Sequence, residues 1–378
     1  MECHSSNIFF VFQLCDMLRK RQTNTTDEVA EAKSTTTEQT KPTSKSRSLL
    51  FTIIFLFVFI VYVVIPLSVY TCPAVRRHAV FLNYVSLSRQ KNLSLPSESG
   101  LKCTKNFYIK TGEDIKVGVW HVPPQSALSK CKGDVLPETE AFKDLRPIFL
   151  YLHGNAGTRA GGHRVELYKL LSEKVDAHVM AFDYRGFGDS TNVSPTEGGL
   201  VEDTVHVYNW LLKRANASRI FVWGHSLGTG VGVAFLEKLS KSPVKPASLI
   251  LEAPFTRIID AARHHPLSIF HRYMPFFDTL IAQPIGDKET GFNSIDRINE
   301  VQCPLLILHA EDDGFVPFDH GKRLYEEAVV ARKSLPPHQT QFVGFDGKYD
   351  LGHKNIYLSP DLPNIIKTFI KSVDPTLV

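Results

Sequence analysis

From Ser48 to Val75 the chain carries no Asp, Glu, Lys or Arg, and inside that stretch residues 49–67 read LLFTIIFLFVFIVYVVIPL. A helix of this length covers the hydrocarbon core of a bilayer and satisfies its own backbone polar groups there. A buried helix of a soluble domain would show a polar face at helical period, and this run shows none. A cleaved leader would be shorter and nearer the start. The expected organisation is a disordered tail (1–48), one transmembrane helix (49–69), a linker (70–104) and a globular domain (105–373).

Lys33, Lys41, Lys45 and Arg47 precede the run, whereas Arg76 and Arg77 follow it. This bias favours a cytosolic tail and a globular domain on the lumenal or outer side. The tail is rich in Thr, Ser, Lys and Glu over 22–48, a composition that cannot bury a core. The earlier NIFFVFQLCDML is short and contains Asp16, so it is not expected to span. On this topology the sequons at Asn92, Asn192 and Asn216 are open to glycosylation and that at Asn24 is not. Six cysteines are present and none forms a CxxC pair, so neither a zinc site nor a thioredoxin-like motif is expected. Cys103 and Cys131 can pair if they face an oxidising lumen, which the sequence leaves open. The net charge of +4 is small and scattered, which argues against nucleic-acid binding.

Before residue 146 the segment NFYIKTGEDIKVGVWHVP predicts a hairpin turning at Gly112, and 124–145 reads as a surface loop. From there, strand-like runs recur: PIFLYLH (147–153), HVMAFD (178–183), RIFVWGH (219–225), SLILEAP (248–254), PLLILHAE (304–311) and TQFVGF (340–345). Helical stretches such as HRVELYKLLSEK and LVEDTVHVYNWLLKRA separate most of them. Apolar strands alternating with helices predict an α/β fold, a mostly parallel sheet covered on both faces. Residues 255–300 are too long for a simple crossover and rich in aromatics and proline; they are expected to form an inserted cap.

The run RIFVWGH ends in GHSLG, with Ser226 at the turn from strand to helix. The G-x-S-x-G pattern builds a tight elbow that raises the serine hydroxyl above the sheet edge and aims helix N–H groups at the same space. A serine that merely caps a helix is the plainer alternative. A serine nucleophile needs a base, and the base needs an acid, which follow in chain order on this fold. Asp313 follows the strand PLLILH and is preferred to Asp312 and Glu311. His353 lies on the loop after TQFVGF and is preferred to His338. His225 is expected to pack at the elbow, and His264, His265 and His271 to lie in the cap. LYLHGNAGTR (150–159) ends a strand in His153-Gly154-Asn155. The backbone N–H groups of Asn155 and Leu227 are the expected oxyanion donors. His178 and Asp183 fit an H-x4-D acyltransferase string, but five residues apart on a strand they point to opposite faces, so the match is read as chance.

The elbow, the HG loop and the Asp-then-His order resemble the α/β-hydrolases. More narrowly, YLHGNAGTR, HRVELYKLL, FDYRGFGDS, WGHSLGTGV, CPLLILHAEDD and GHKNIY resemble the membrane-anchored lysophosphatidylserine and monoacylglycerol lipases of the abhydrolase-domain-containing-twelve type. That resemblance covers roughly residues 105–370. It implies a single-pass anchor, a catalytic domain in the lumen of the endoplasmic reticulum, and hydrolysis of lysophosphatidylserine and monoacylglycerols. Its triad falls on Ser226, Asp313 and His353.

Two-step acyl transfer by such a triad requires no cofactor and no metal. A lipid substrate and the membrane are the expected partners; the sequence does not identify a protein partner. In the cap, Phe270, Tyr273, Phe276 and Phe277 are candidates to line an acyl channel, and Arg263 and Arg272 to hold an anionic headgroup. A thioesterase or peptidase on the same scaffold, or an inactive hydrolase fold used for interaction, remain alternatives, because the triad does not read the leaving group.

Overall fold

The computed structural model describes residues 44–85, 92–333, 335–336 and 339–377. The tail before residue 44, with the Asn24 sequon and the NIFFVFQLCDML run, lies outside the described residues, as does His338. The chain divides into two compact units, Met1–Ala74 and Val75–Val378.

In the first unit a helix runs from Ser44 through the uncharged run to Thr71, with a π-helical turn over Ile60–Val64. Pro66 accounts for the turn. It brings no N–H to the ladder and its ring crowds the carbonyl one turn back, so the spacing widens locally. The Ile65 N–H accordingly bonds the Ile60 carbonyl, five residues back. Residues Ser48–Thr71 are long and apolar enough to cross a membrane, and among the described residues no other helix is.

The second unit is built on eight strands: β1 (Lys105–Lys110), β2 (Lys116–Val122), β3 (Ile148–Leu152), β4 (His178–Phe182), β5 (Ile220–His225), β6 (Ser248–Glu252), β7 (Leu305–Ala310) and β8 (Thr340–Phe345). Their order in the sheet is β1-β2-β4-β3-β5-β6-β7-β8. β1 and β2 are the expected hairpin around Gly112, β2 pairs antiparallel with β4, and all remaining pairs are parallel. Every residue of β3 to β7 is buried, which is why these strands read as continuous apolar runs rather than alternating ones.

Alternate residues nevertheless face opposite layers. Phe149, Tyr151, Val179, Phe221, Trp223, Ile250 and Leu306 join Tyr168 and Leu171 of helix Gly162–Glu173 and Ile366 and Phe369 of helix Leu362–Val373 in one core. Gly232, on helix Leu227–Lys238, sits against Leu152, Leu249 and Leu251 of the other face. Between β6 and β7 the segment expected as a cap folds into helix Ile258–His264 and several shorter helical turns.

Of the linker expected over 70–104, the described residues from 75 on fold with the second unit. Phe81 is fully buried, and its ring lies 6.1 Å from that of Phe292. The carbonyls of Phe81 and Val85 accept from the N–H groups of Ala156 and Gly157, both at 3.1 Å. Trp120 Nε1 donates to the Leu93 carbonyl at 2.8 Å. These partners are backbone carbonyls, which leave no periodic pattern in a sequence. Cys103 and Cys131 form a disulfide.

Candidate active site

The elbow forms because its glycines cannot be replaced. A Cβ at Gly224 would run into the carbonyl of Gly228, and one at Gly228 into the carbonyl of Leu152. Between them Ser226 takes φ 51° and ψ −117°. That left-handed conformation costs a serine on the order of 1–3 kcal/mol and persists only where the surroundings impose it. Here β5 and helix Leu227–Lys238 impose it, and the Ser226 N–H is held by the Glu252 carbonyl at 2.9 Å.

Ser226 Oγ lies 2.9 Å from His353 Nε2, and His353 Nδ1 lies 2.7 Å from Asp313 Oδ2. Asp313 also accepts from the backbone N–H groups of Phe315 and Val316 at 2.8 and 2.9 Å, and His309 Nε2 stands 3.3 Å from its Oδ2. Burial alone would raise Asp313, but the bonds from His309 and His353 and the Val316 N–H outweigh it and hold the carboxyl well below the usual carboxylate range. An ionised carboxylate only accepts, so His353 Nδ1 carries the proton and Nε2 is left to accept from the serine hydroxyl.

The neighbouring acids are also engaged. Glu311 accepts from the Gly347 N–H at 3.2 Å and Asp312 from the Gly352 N–H at 2.8 Å. All three carboxylates after β7 therefore contact the loop that carries His353 or His353 itself. His225 does more than pack: its Nε2 lies 2.9 Å from the His353 carbonyl. Burial, then the nearby His353 and His163, keep His225 well below the ordinary imidazole range, so it is a neutral donor to that carbonyl.

Gly154 lies against the elbow, where a Cβ would come 3.0 Å from His225 Nδ1 and 3.2 Å from Ser226 Cβ. Among the described residues, no group accepts from the N–H of Asn155 or of Leu227. Two unspent donors thus flank the serine.

Glu252, at the end of β6, is fully buried, and Trp223 Nε1 donates to its Oε2 at 2.7 Å. Burial pushes its pKa up to about 8, with the Trp223 bond opposing and the Asp313 charge adding. Folded protein therefore holds a proton that the unfolded chain releases near 4.5. The stability this provides is full below about 4.5 and is lost as pH rises towards about 8. Glu252→Gln retains an oxygen for Trp223 and cannot ionise. Thermal melts are expected to show the variant matching wild type in mild acid and exceeding it by several degrees near pH 8. Parallel curves would show that another group carries the slope.

The cap candidates separate. Phe270, Tyr273 and Phe276 are exposed, whereas Phe277 is buried. Arg263 is taken by Asp260 and Asp278 at 3.1 and 2.9 Å. Arg272 lies over the Tyr273 ring at 5.1 Å, and its Nε makes no hydrogen bond among the described residues. The cap meets the site through His265, whose ring is 5.9 Å from Phe315, which in turn lies 5.4 Å from His353. His178 bonds Asp144 and His121, while Asp183 pairs with Arg159, so the H-x4-D residues do not meet. Asn92, Asn192 and Asn216 are all exposed. Sequence reading did not find His309, Glu252 or Phe315, since nothing in the local pattern marks which residues tertiary packing brings near Asp313 and His353.

A family model described as the alpha/beta hydrolase fold matches residues 147–274. The lysophosphatidylserine lipase ABHD12 of Gallus gallus is 44% identical over 311 residues, covering 82% of this chain and 81% of that protein. Its counterpart in Danio rerio is 42% identical over 316 residues, covering 83% and 82%. Among solved structures, an alpha-beta hydrolase from Vibrio vulnificus has a TM-score of 0.55 at 18% identity, with 82% of this chain and 91% of that one aligned.

Proposed function

The chain belongs to the family of the lysophosphatidylserine lipases ABHD12 on the alpha/beta hydrolase fold, and from that premise we propose a membrane-anchored serine hydrolase that cleaves the acyl ester of single-chain lipids, lysophosphatidylserine and monoacylglycerol. The observation that carries the reading is the hydrogen-bonded row from Ser226 through His353 to Asp313, with the serine held at positive φ.

His353 Nε2 takes the Ser226 proton as Oγ bonds the ester carbonyl carbon. The carbonyl π pair moves to oxygen, and the N–H groups of Asn155 and Leu227 receive the charge. Asp313 faces the imidazolium that forms. The intermediate collapses, the C–O bond to the headgroup alcohol breaks, and His353 gives that oxygen its proton. Water then attacks the acyl-enzyme with His353 again as base, releasing the fatty acid and restoring Ser226.

The one helix among the described residues that is long and apolar enough to cross a membrane supports an anchor, and the resemblance to the lysophosphatidylserine lipases points to the endoplasmic reticulum as its membrane. The Lys/Arg bias, the disulfide and the three exposed sequons support a lumenal domain. Protease added to sealed microsomes is then expected to spare residues 75–377. For the headgroup, Arg272 has no carboxylate partner among the described residues, whereas Arg263 is occupied by two. The test compares lysophosphatidylserine, lysophosphatidylcholine and monoacylglycerol as substrates for wild type, Arg263→Ala and Arg272→Ala. Arg272→Ala is expected to lose several-fold on lysophosphatidylserine and little on monoacylglycerol, with Arg263→Ala near wild type on both. Higher kcat/KM on short soluble esters than on any of the lipids would refute the lipid assignment.

A further inference from the structure

Arg164, near the start of helix Gly162–Glu173, is a buried cation at 3% exposure. Among the described residues its guanidinium has no carboxylate partner. Its hydrogen bonds all go to backbone carbonyls of one loop: Thr158 at 2.7 Å, Ala156 at 2.9 Å, Gly154 at 3.2 Å and Asn155 at 3.4 Å. Removing a charge from water without a counter-ion is costly. The loop that receives it is the HG loop beside Ser226, and the Gly154 carbonyl is one end of the peptide group whose other end is the Asn155 N–H.

We propose that Arg164 is a positioning residue of the oxyanion hole, fixing and polarising the Asn155 N–H through the Gly154 carbonyl, with its charge left unpaired until the oxyanion forms. The inference rests on the reading that Ser226 attacks an ester.

The physical basis has three parts. A hydrogen bond accepted at an amide oxygen strengthens the N–H of the same amide as a donor. A fixed positive charge in a water-poor site stabilises developing negative charge without reorganisation at the moment of reaction. Four carbonyl contacts hold the loop in one conformation, so the Asn155 donor does not have to be ordered when substrate binds. The reach of this charge is visible in its neighbours. Burial first, then Arg164, holds His153 well below the ordinary imidazole range and brings His163 down to about 3.

The test uses the full-length protein and the variants Arg164→Gln, which removes the charge, and Arg164→Lys, which keeps it. Active sites are counted with a fluorophosphonate probe, so that loss of folded protein does not imitate loss of rate, and melting temperatures are taken in parallel. Two quantities are read: kcat and KM on an ester, and the affinity of an alkyl boronic acid, which adds to a serine oxygen to give a tetrahedral anion. Arg164→Gln is expected to lower kcat by about 10–100-fold with KM little changed, and to weaken the boronic acid by a similar factor. Arg164→Lys is expected to recover most of both. Unchanged boronic acid affinity in Arg164→Gln, or equal losses in both variants that track their melting temperatures, would overturn the proposal. Ser226→Ala separates the two readings. If it still hydrolyses esters, the catalytic reading fails and this inference fails with it. If it is inactive while Arg164→Gln keeps its boronic acid affinity, only the role of Arg164 falls.

Discussion

Ser226→Ala is expected to abolish lipid ester hydrolysis, a loss of up to about a millionfold in kcat, with the fold intact. Among the described residues the side-chain oxygen makes one hydrogen bond, to His353 Nε2. The strained φ of 51° belongs to the elbow and not to the hydroxyl; alanine has the same Cβ and meets no additional clash. A melting temperature within a few degrees of wild type, with no hydrolysis and no fluorophosphonate labelling, is the expected result. Labelling that persists in the variant would place the nucleophile on another serine.

Asp313→Asn is expected to lower kcat by about ten-thousandfold and leave KM nearly unchanged. Asp313 Oδ1 accepts from the Phe315 and Val316 N–H groups, while Oδ2 faces His353 and His309. An asparagine satisfies the two backbone donors only by turning its carbonyl oxygen towards them. Its NH2 then faces the two imidazoles, and His353 Nδ1 has to accept. The other tautomer results, with the proton on Nε2, where it cannot take one from Ser226. Steady-state kinetics normalised to active-site titration measures the loss. A variant keeping a tenth or more of wild-type kcat would mean that Asp313 does not orient the base.

The sheet was legible because its central strands are buried on both sides and therefore appear as unbroken apolar runs, each followed by a helix. The elbow could be located for a different reason: Gly224 and Gly228 are required by close backbone approach, and such glycines stand out in a strand-to-helix junction. Loops following β7 and β8 narrowed the candidate acid and base to a few residues, since chain order limits what can reach the end of β5. Side chains acting through tertiary contacts gave no such signal. Arg164 reads as an ordinary residue in a helical stretch, and its four carbonyl partners exist only once the HG loop has folded back on it. Glu252 reads as a charged residue, yet burial beside Trp223 keeps it protonated. In the cap, aromatic content did not distinguish exposed Phe276 from buried Phe277, because short irregular helices impose no clean period on which side faces the protein.

The hydrogen bonds from Ala156 and Gly157 to the carbonyls of Phe81 and Val85 tie the helix and turn ahead of the first strand to the HG loop. The stretch between the apolar helix and β1 is thus not a spacer of arbitrary sequence. A water-soluble version beginning at Lys105 would strip two acceptors from the HG loop, expose the pocket that Phe81 fills and leave Trp120 Nε1 without the Leu93 carbonyl. One beginning at Val75 keeps all three. The same boundary limits any exchange of the apolar helix: a junction upstream of Val75 leaves all three contacts in place, whereas one beyond Phe81 begins to remove them.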